Sequence, residues 1–169
     1  WMTMHLLDLG HKTVFYVGRV QGATDNTRAN GWKDALEERG IEAPEPIVVS
    51  DGNLEKAVKA GHALGRRGEA TAIFADSDET AIAVIRGLRE TGRRVPDDVS
   101  VVGFDDRNFG ALWEPSLTSY TQNFLDMGER SFRMLFEQIQ AKRTGADMPP
   151  SQIEVVQGQP CLRASEREI

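Results

Sequence analysis

The sequence predicts an α/β protein with a doubly wound parallel sheet in three α/β/α layers. Short runs of apolar, often β-branched residues alternate with amphipathic helical patterns four times along the chain. These short strands are apolar on both sides, which is typical of a parallel sheet covered by helices on both faces. With 169 residues, the chain is long enough to form one domain with a hydrophobic core.

The first two strand–helix units occupy the first part of the chain. A helical pattern at its start ends at Gly10, and residues 13–18 (TVFYVG) predict the first strand. Apolar residues at helical spacing predict the next helix over 27–40. Residues 46–50 (PIVVS) then predict the second strand, and residues 53–68 the helix that follows it.

The third and fourth strands are predicted at 71–78 (TAIFADSD) and 98–106 (DVSVVGFDD), with a helix over 79–92 between them. A long amphipathic helix follows from about 122 to 142, and two short extended pieces are expected at 153–157 and 160–164. One face of this long helix collects apolar residues, namely Phe124, Met127, Phe132, Leu135, Phe136 and Ile139.

Composition and charge argue against several classes of protein. The net charge of −6 and the lack of a basic stripe argue against nucleic-acid binding by this chain. No run approaches the roughly 20 apolar residues that a membrane span requires, so no membrane association is expected. The single cysteine, Cys161, cannot form an internal disulfide and is compatible with a reducing cytoplasm.

Polar side chains follow each predicted strand. Because ligands bind beyond the carboxyl ends of the strands in an open parallel sheet, these side chains are expected to converge on one crevice. In chain order they are Thr24, Asp25, Asn26 and Arg28, then Asp51 and Asn53, then Asp76, Ser77 and Asp78, and finally Asp105, Asp106 and Asn108.

An enzymatic site is not predicted at this edge. The three histidines, His5, His11 and His62, fall on or beside helices, so no Ser-His-Asp set assembles there. The glycines match neither phosphate-binding loop pattern, and no cofactor is expected. Two alternatives remain open: a phospho-acceptor, and a Mg²⁺ site formed by acids from Asp76, Asp78, Asp105 and Asp106.

Ligand recognition is the favoured interpretation. Sugar-like molecules carry hydroxyls that both donate and accept, and acids, amides and an arginine meet both needs. Asp105 comes directly off the fourth strand and is the better ligand candidate, whereas Asp106 is expected to bond within its own loop. Asp78 is expected to cap its helix instead. Apolar walls are expected from Phe104, Trp32, Phe109 or Trp113.

Four stretches, in this order, resemble one known family. They are HLLDLGHKTVFYVG, RANGWKDAL, TAIFADSDETAIAVIRGLRETGRRVPDDVSVVGFDD and PSLTSYTQNFLDMGERSF. Their order and spacing resemble the effector-binding domain of the lactose-repressor/galactose-repressor (LacI/GalR) family of bacterial transcription regulators, from about His5 to Ser165. The resemblance implies a periplasmic-binding-protein-like domain of two α/β lobes, in which a small effector binds in the cleft.

The resemblance also implies an organisation for the chain. Residues 1–120 correspond to the C-terminal lobe, residues 121–145 to a helix that would pack on the N-terminal lobe, and residues 146–169 to the returning strands. Neither the N-terminal lobe nor the helix-turn-helix domain is expected within this chain. The apolar face of the long helix is therefore expected to be uncovered, or covered by another copy.

By position, the resemblance assigns the effector site to five residues. Arg28 corresponds to the arginine that grips the effector, Asp105 to the acid after the fourth strand, and Thr24 to a small hydroxyl that lines the cleft. Two positions depart from the family pattern: Asn53 stands at an often aromatic position, and Ser77 stands where Asn is usual.

The resemblance implies a cytoplasmic repressor that is not an enzyme. Its partners would be a small-molecule effector, operator DNA through the helix-turn-helix, and a second copy of itself. Candidates for the surface between copies are Ile82, Ala83 and Arg86. The alternatives are a periplasmic-type solute-binding protein and a Mg²⁺-dependent carboxylate enzyme.

Overall fold

A computed structural model describes residues 1–20, 27–49 and 53–169. The chain divides into two compact units. Unit 1 contains Trp1–Thr121 and Pro160–Ile169, and unit 2 contains Gln122–Gln159. Thr24, Asp25, Asn26 and Asp51, which were predicted at the ligand-binding edge, lie outside the described residues.

Unit 1 is built on a four-stranded parallel sheet. Its strands are β1 (Phe15–Gly18), β2 (Ile47–Val48), β3 (Ala72–Ala75) and β4 (Ser100–Val102), in the spatial order β2-β1-β3-β4. Every pairing between neighbours is parallel. The chain thus winds outwards from β1 in both directions, which confirms the doubly wound α/β prediction.

Four helices cover the two faces of this sheet. They are α1 (Met2–Asp8), α2 (Thr27–Glu38), α3 (Leu54–Gly65) and α4 (Asp78–Glu90). One apolar cluster joins α1 and α2 to the sheet through residues such as Leu6, Trp32 and Phe74. A second cluster joins α3 and α4 to the opposite face through residues such as Leu64, Val84 and Ile73. The three-layer arrangement is therefore confirmed.

Three elements after β4 differ from the expectation. A short helix, α5 (Asn108–Leu112), and a short strand, β5 (Ser119–Thr121), were not predicted. Only the second of the expected extended pieces contains a strand, β6 (Gln159–Cys161), which pairs with β5. Residues 146–158 have no regular secondary structure, so the expected extended piece at 153–157 is not a strand.

Unit 2 contains one long helix, α6 (Phe124–Thr144). Asn123 caps its first turn by accepting from the backbone N–H of Asp126, and Gly145 ends it in the left-handed conformation that glycine adopts readily (φ +69°). No helix among the described residues is long and apolar enough to span a bilayer. The apolar side chains of α6 are exposed, namely Phe124, Met127, Phe132, Leu135, Phe136 and Ile139.

Candidate functional site

The candidate site lies at the edge of the sheet where β1, β3 and β4 end. Arg19 follows β1 directly, Asp76 follows β3 directly, and Asp105 and Asp106 lie just beyond β4. Arg28 lies in the first turn of α2. Since these three strands are neighbours and run in one direction, their carboxyl ends bring the side chains together.

Arg28 is held by three contacts at this edge. One terminal nitrogen donates to the Oδ1 of Asp105 at 3.0 Å, and the other donates to the backbone carbonyl of Asp76 at 2.7 Å. Its guanidinium carbon lies 4.1 Å from the centre of the Phe104 ring. The Arg28–Asp105 ion pair is largely shielded, with side-chain exposures of 22% and 16%. The structure therefore brings together the two residues on which the ligand-binding interpretation depends.

Asp76 joins the ends of β1 and β3. Its Oδ2 accepts from the backbone N–H of Arg19 at 2.9 Å and from the side-chain Nε of Arg19 at 3.1 Å. Its Oδ1 accepts from the Thr80 hydroxyl at 2.9 Å. A Cβ at position 18 would lie 2.3 Å from the Cβ of Asp76, so this close approach requires Gly18. Asp76 therefore fixes the geometry of the edge.

The backbone of Asp105 and Asp106 adopts an unusual conformation. Both residues have positive φ, 100° for Asp105 and 52° for Asp106, where side chains are sterically disfavoured. The N–H of Asp105 donates to the carbonyl of Tyr120 at 3.0 Å, and the N–H of Asp106 donates to the hydroxyl of Ser119 at 3.0 Å. Contacts with β5 thus hold this strained loop, as is common at functional sites.

The side chains of the two aspartates have different partners. Asp105 pairs with Arg28, whereas the Oδ1 of Asp106 accepts from Arg163 at 2.6 Å. The Cys161 thiol donates to the Oδ2 of Asp106 at 3.2 Å, and burial, followed by this hydrogen bond, raises the pKa of the thiol. Asp106 therefore ties its loop to the returning chain around β6 and does not only bond within its own loop.

Asp78 is not the helix cap that the sequence led us to expect. It is the first residue of α4, its side chain is fully buried, and both of its oxygens accept hydrogen bonds. Oδ1 accepts from the Ser119 hydroxyl at 2.6 Å, and Oδ2 accepts from the backbone N–H of Arg107 at 2.5 Å. Burial raises the pKa of Asp78 to about 6, against the lowering effect of these two bonds.

Two predicted ligand residues cap helices. The Ser77 hydroxyl accepts from the backbone N–H of Thr80 at 3.2 Å and caps α4. The Oδ1 of Asn53 accepts from the backbone N–H of Lys56 at 3.1 Å and caps α3. Both residues stand at positions where small polar side chains stabilise a helix start. Thr24 lies outside the described residues.

Two small cavities adjoin the Arg28–Asp105 pair. A cavity of about 260 Å³ is lined by Arg28 together with the aromatic residues Trp1, Trp32, Phe74, Phe104 and Tyr120. A second cavity, of about 280 Å³, is lined by Asp105 together with Arg19, Asp76, Ser77, Glu79 and Thr80 among others. The aromatic residues and the acids thus line different cavities, with Arg28 at the first and Asp105 at the second.

Of the four aromatic residues predicted to line the site, Phe104 and Trp32 border the first cavity, and Phe109 and Trp113 do not. Phe104 lies under Arg28 and stacks on Tyr120, at 5.5 Å between ring centres. Trp32 is buried, and its indole N–H donates to the carbonyl of Val14 at 2.8 Å, although it also borders the first cavity. Phe109 and Trp113 are exposed and line neither cavity.

Several site residues were not singled out from the sequence. Arg19 follows β1 directly, so the rule that found Asp105 would also have found it. Ser119, Tyr120 and Arg163 lie in or beside β5 and β6, and no sequence pattern places these segments next to β4. Only the tertiary structure assigns them to the site.

The acids do not form an evident metal centre. Within residues 1–20, 27–49 and 53–169, no group of three or more His, Cys, Asp or Glu side chains is placed to hold a metal ion. Asp76, Asp105 and Asp106 each pair with an arginine, and both oxygens of Asp78 accept hydrogen bonds. Arginines at these positions would compete with a cation, which speaks against Mg²⁺ at the described part of this edge.

A larger groove of about 790 Å³ is lined mainly by α3 and α4, and it shares Leu54 and Glu79 with the second cavity. Its apolar lining comes from Leu54, Val58, Ile82, Ala83 and Trp113, and its charged lining from Glu55, Glu79, Arg86, Arg89 and Glu90. The three residues proposed from the sequence for contact between copies, Ile82, Ala83 and Arg86, all line this groove.

Comparison with known proteins gives a consistent picture. The family described as the periplasmic binding protein-like domain matches residues 3–165. The ribose operon repressor of Halalkalibacterium halodurans is 34% identical over 142 residues, which are 83% of this chain and 42% of that protein. The chain thus spans less than half the length of the curated regulators it matches.

Solved structures agree with this match. A LacI family transcriptional regulator from Enterococcus faecium, with bound ribose, has a TM-score of 0.84 at 26% identity, over 99% of this chain and 61% of that one. The lac repressor dimer bound to operator and an anti-inducer has a TM-score of 0.79 at 25% identity, over 96% of this chain and 55% of that one.

Proposed function

This chain belongs to the family of periplasmic binding protein-like domains that LacI/GalR-type transcription regulators contain, and we propose that it is the effector-sensing lobe of such a regulator. Its ligand is a sugar or a sugar-like molecule. The observation that carries the proposal is the Arg28–Asp105 pair, which stands between two small cavities at the carboxyl edge of a parallel sheet.

The chemistry of this pair suits a polyhydroxylated ligand. A guanidinium fork offers donors in fixed directions, and a carboxylate accepts hydroxyl protons. Phe104, which lies 4.1 Å from the Arg28 guanidinium, offers an apolar surface for the C–H face of a sugar ring. The relative that was solved with ribose and the relative named for a ribose operon are consistent with a ligand of this size.

The proposed role is binding and not catalysis. Effector occupancy shifts the equilibrium between two arrangements of the regulator's lobes, which typically requires about 1–3 kcal/mol of coupling. The regulator reads operator DNA through a helix-turn-helix domain, acts as a homodimer in the cytoplasm, and uses the α3–α4 groove between copies. The Mg²⁺-enzyme alternative is not favoured, because arginines pair with Asp76, Asp105 and Asp106, and hydrogen-bond donors occupy both oxygens of Asp78.

The proposal is tested by titrating the ¹⁵N-labelled chain with D-ribose, D-galactose, D-glucose and inorganic phosphate, and following backbone and arginine side-chain signals by NMR. We expect one sugar to shift the signals of Arg28, Phe104 and Asp105 with saturation. Arg28→Ala should remove this response, because it deletes both hydrogen bonds and the contact with Phe104.

Arg39→Ala is the matched control for this experiment. Arg39 directly follows α2 and also pairs with an aspartate, Asp8, but both side chains are exposed and neither lines the two cavities. This variant should keep the full response to the sugar. Saturable binding that persists unchanged in Arg28→Ala would defeat the site assignment.

A further inference from the structure

The carboxylate of Asp78 is buried and lines neither cavity of the site. It contacts the loop of residues 105–107, which we call the acidic loop. The two oxygens of Asp78 accept from the Ser119 hydroxyl and from the backbone N–H of Arg107. We propose that Asp78 is a positioning residue for the effector site: through Ser119 and Arg107, its ionised carboxylate holds the loop that presents Asp105 to Arg28.

The loop needs such support because of its backbone conformation. Asp105 and Asp106 are consecutive residues with positive φ, a region that side chains disfavour. A conformation of this kind persists only when the surroundings hold it on several sides. Asp78 acts at two points, since Arg107 directly follows the strained pair, and Ser119 accepts from the N–H of Asp106.

The geometry suits a carboxylate specifically. An ionised carboxylate only accepts, so it can serve two donors at once, whereas a protonated acid or an amide presents a donor on one side. The fit is also tight, because a Cβ at Gly103 would lie 2.3 Å from the Oδ1 of Asp78. Any side chain at position 103 would therefore collide with the carboxylate of Asp78.

The proton affinity of Asp78 makes this support dependent on pH. Burial raises the pKa of Asp78 to about 6, and the nearby charges of Asp105 and Asp106 act in the same direction. Other charged groups around it are Glu79 and Arg107, which approach each other within 3.7 Å, and Arg163, which pairs with Asp106. As the pH falls through about 6, Asp78 takes up a proton and one of its two acceptor oxygens becomes a donor.

Stability and site geometry should then respond to pH in opposite directions. Because the folded-state pKa is above the usual 3.8 of the unfolded chain, protonation of Asp78 favours the folded state as the pH falls from about 6 towards 4. In the same range the loop loses one of its bonds, so the Asp105–Arg28 contact loosens. A purely structural role for Asp78 would leave that contact unchanged.

The test follows the backbone amides of Asp106 and Arg107 and the side-chain nitrogens of Arg28 by ¹H–¹⁵N NMR from about pH 7.5 to 4.5. We expect the Arg107 amide to titrate with a midpoint near 6, and the Arg28 side chain to exchange with water at least tenfold faster below that midpoint. If the Arg107 amide shows no titration, or the Arg28 side chain does not respond, the proposal is wrong.

Three variants assign the titration to Asp78. Asp78→Asn should abolish the midpoint near 6. Ser119→Ala should move the midpoint upward, because the hydrogen bond from Ser119 lowers the pKa of Asp78. Glu79→Gln is the matched control, since Glu79 is the neighbouring carboxylate and contacts the side chain of the same arginine, Arg107. This control should keep the midpoint; if it loses the midpoint, the titration does not belong to Asp78. Should Asp78→Asn fail to fold, the wild-type and Ser119→Ala titrations decide the question.

The consequence for ligand affinity rests on the proposed function. With D-ribose as the probe, affinity should fall at least threefold between about pH 7 and 5 in the wild type, and less than that in Asp78→Asn. Absence of ribose binding at every pH, together with an intact Arg107 titration, would exclude ribose as the ligand and leave the positioning role of Asp78 supported; the sugar assignment itself fails only if none of the three sugars binds.

Discussion

At the scale of single residues, the adjacent aspartates Asp105 and Asp106 differ in function because of their partners. Asp105 pairs with Arg28, which lines a cavity, whereas Asp106 pairs with Arg163 and Cys161 of the returning chain. Both residues have positive φ, and their side chains reach different partners. One carboxylate is therefore directed towards the proposed ligand, and the other anchors the loop.

His11 provides a prediction at the same scale, at the opposite end of the strands. It is 3% exposed, and its two ring nitrogens bond the hydroxyls of Thr71 and Ser100, each at 3.0 Å. Burial lowers the pKa of His11 below 6.5, so the unfolded chain takes up a proton first as the pH falls. The thermal midpoint of the wild type should therefore decrease between about pH 7.5 and 6.

His11→Gln should lower the thermal midpoint at pH 7.5, because the shorter side chain cannot keep both hydrogen bonds to the hydroxyls of Thr71 and Ser100, and the loss of one costs about 0.5–1.5 kcal/mol. It should also flatten the decrease in that midpoint towards pH 6. His62→Gln is the control, because His62 is part-exposed on α3. Differential scanning calorimetry measures the thermal midpoint of each variant as a function of pH. If the midpoint of His11→Gln falls with pH as steeply as that of the wild type, His11 is not the source of the decrease. Asp78, whose pKa is about 6, takes up its proton in part of the same range and acts in the opposite direction, so the effect of His11 is read from the difference between the wild type and His11→Gln at each pH.

At the scale of elements, α3 and α4 cross where two glycines meet. A Cβ at Gly61 would lie 2.3 Å from the carbonyl oxygen of Val84, and a Cβ at Gly87 would lie 2.1 Å from that of Val58. Backbone atoms cannot yield as a flexible side chain can. Gly61→Ala or Gly87→Ala should therefore lower the free energy of unfolding by about 1–3 kcal/mol, despite the better helix propensity of alanine.

Gly31→Ala isolates that propensity. Gly31 lies inside α2, and a Cβ there would meet nothing within 4 Å. This variant should raise the free energy of unfolding by about 0.5–1 kcal/mol. Urea denaturation followed by circular dichroism gives all three values. Destabilisation by Gly31→Ala as large as that by Gly61→Ala would mean that the close crossing is not the cause.

The sequence predicted the elements that carry a strong apolar pattern and missed α5 and β5. The four helices around the sheet and α6 follow apolar periodicity, and β1, β3 and β4 follow β-branched runs, so all were predicted to within a few residues. By contrast, α5 and β5 span five and three residues, too few to show a period. Their positions depend on contacts with β4, such as the N–H of Asp105 bonding the carbonyl of Tyr120.

The candidate site was predictable to the same extent. Topology alone brings Arg28 and Asp105 to one edge, and the structure joins them at 3.0 Å. Ser77 and Asn53 were also placed at this edge, but their oxygens cap α4 and α3. A small polar residue after a strand is suited both to a ligand and to a helix start, and Ser77 caps α4 while it also lines the second cavity. Ser119 and Arg163 reach the site across long sequence separations that no local pattern encodes.

At the scale of the whole molecule, the acidic loop is hydrogen-bonded to the two strands, β5 and β6, at which the chain passes from one unit to the other. β5 leads directly into Gln122, where unit 2 begins, and β6 begins at Gln159, where unit 2 ends. Asp106 bonds Ser119 of β5 and Cys161 of β6. The loop that contains Asp105 is therefore attached to the two strands through which the chain enters and leaves unit 2.

Self-association provides the prediction at this scale. The α3–α4 groove and the exposed apolar face of α6 are two candidate surfaces, and the proposed homodimer uses the groove. Ile82→Glu should weaken dimerisation at least tenfold, because it replaces apolar contact area with a carboxylate among Leu54, Val58 and Trp113, which a partner would have to desolvate. Sedimentation equilibrium measures the dissociation constant, and circular dichroism checks that the variant is folded.

Phe132→Ser is the matched variant on the other surface. Phe132 is 68% exposed on α6, so its replacement should leave the dissociation constant within about threefold of the wild type. The reverse pattern, in which Phe132→Ser dissociates the dimer and Ile82→Glu does not, would transfer the interface to α6. A chain that stays monomeric at about 100 µM, a concentration that reveals even weak dimers, would exclude the groove as a self-sufficient interface. The two substitutions thus separate an interface between lobes of two copies from one that covers α6.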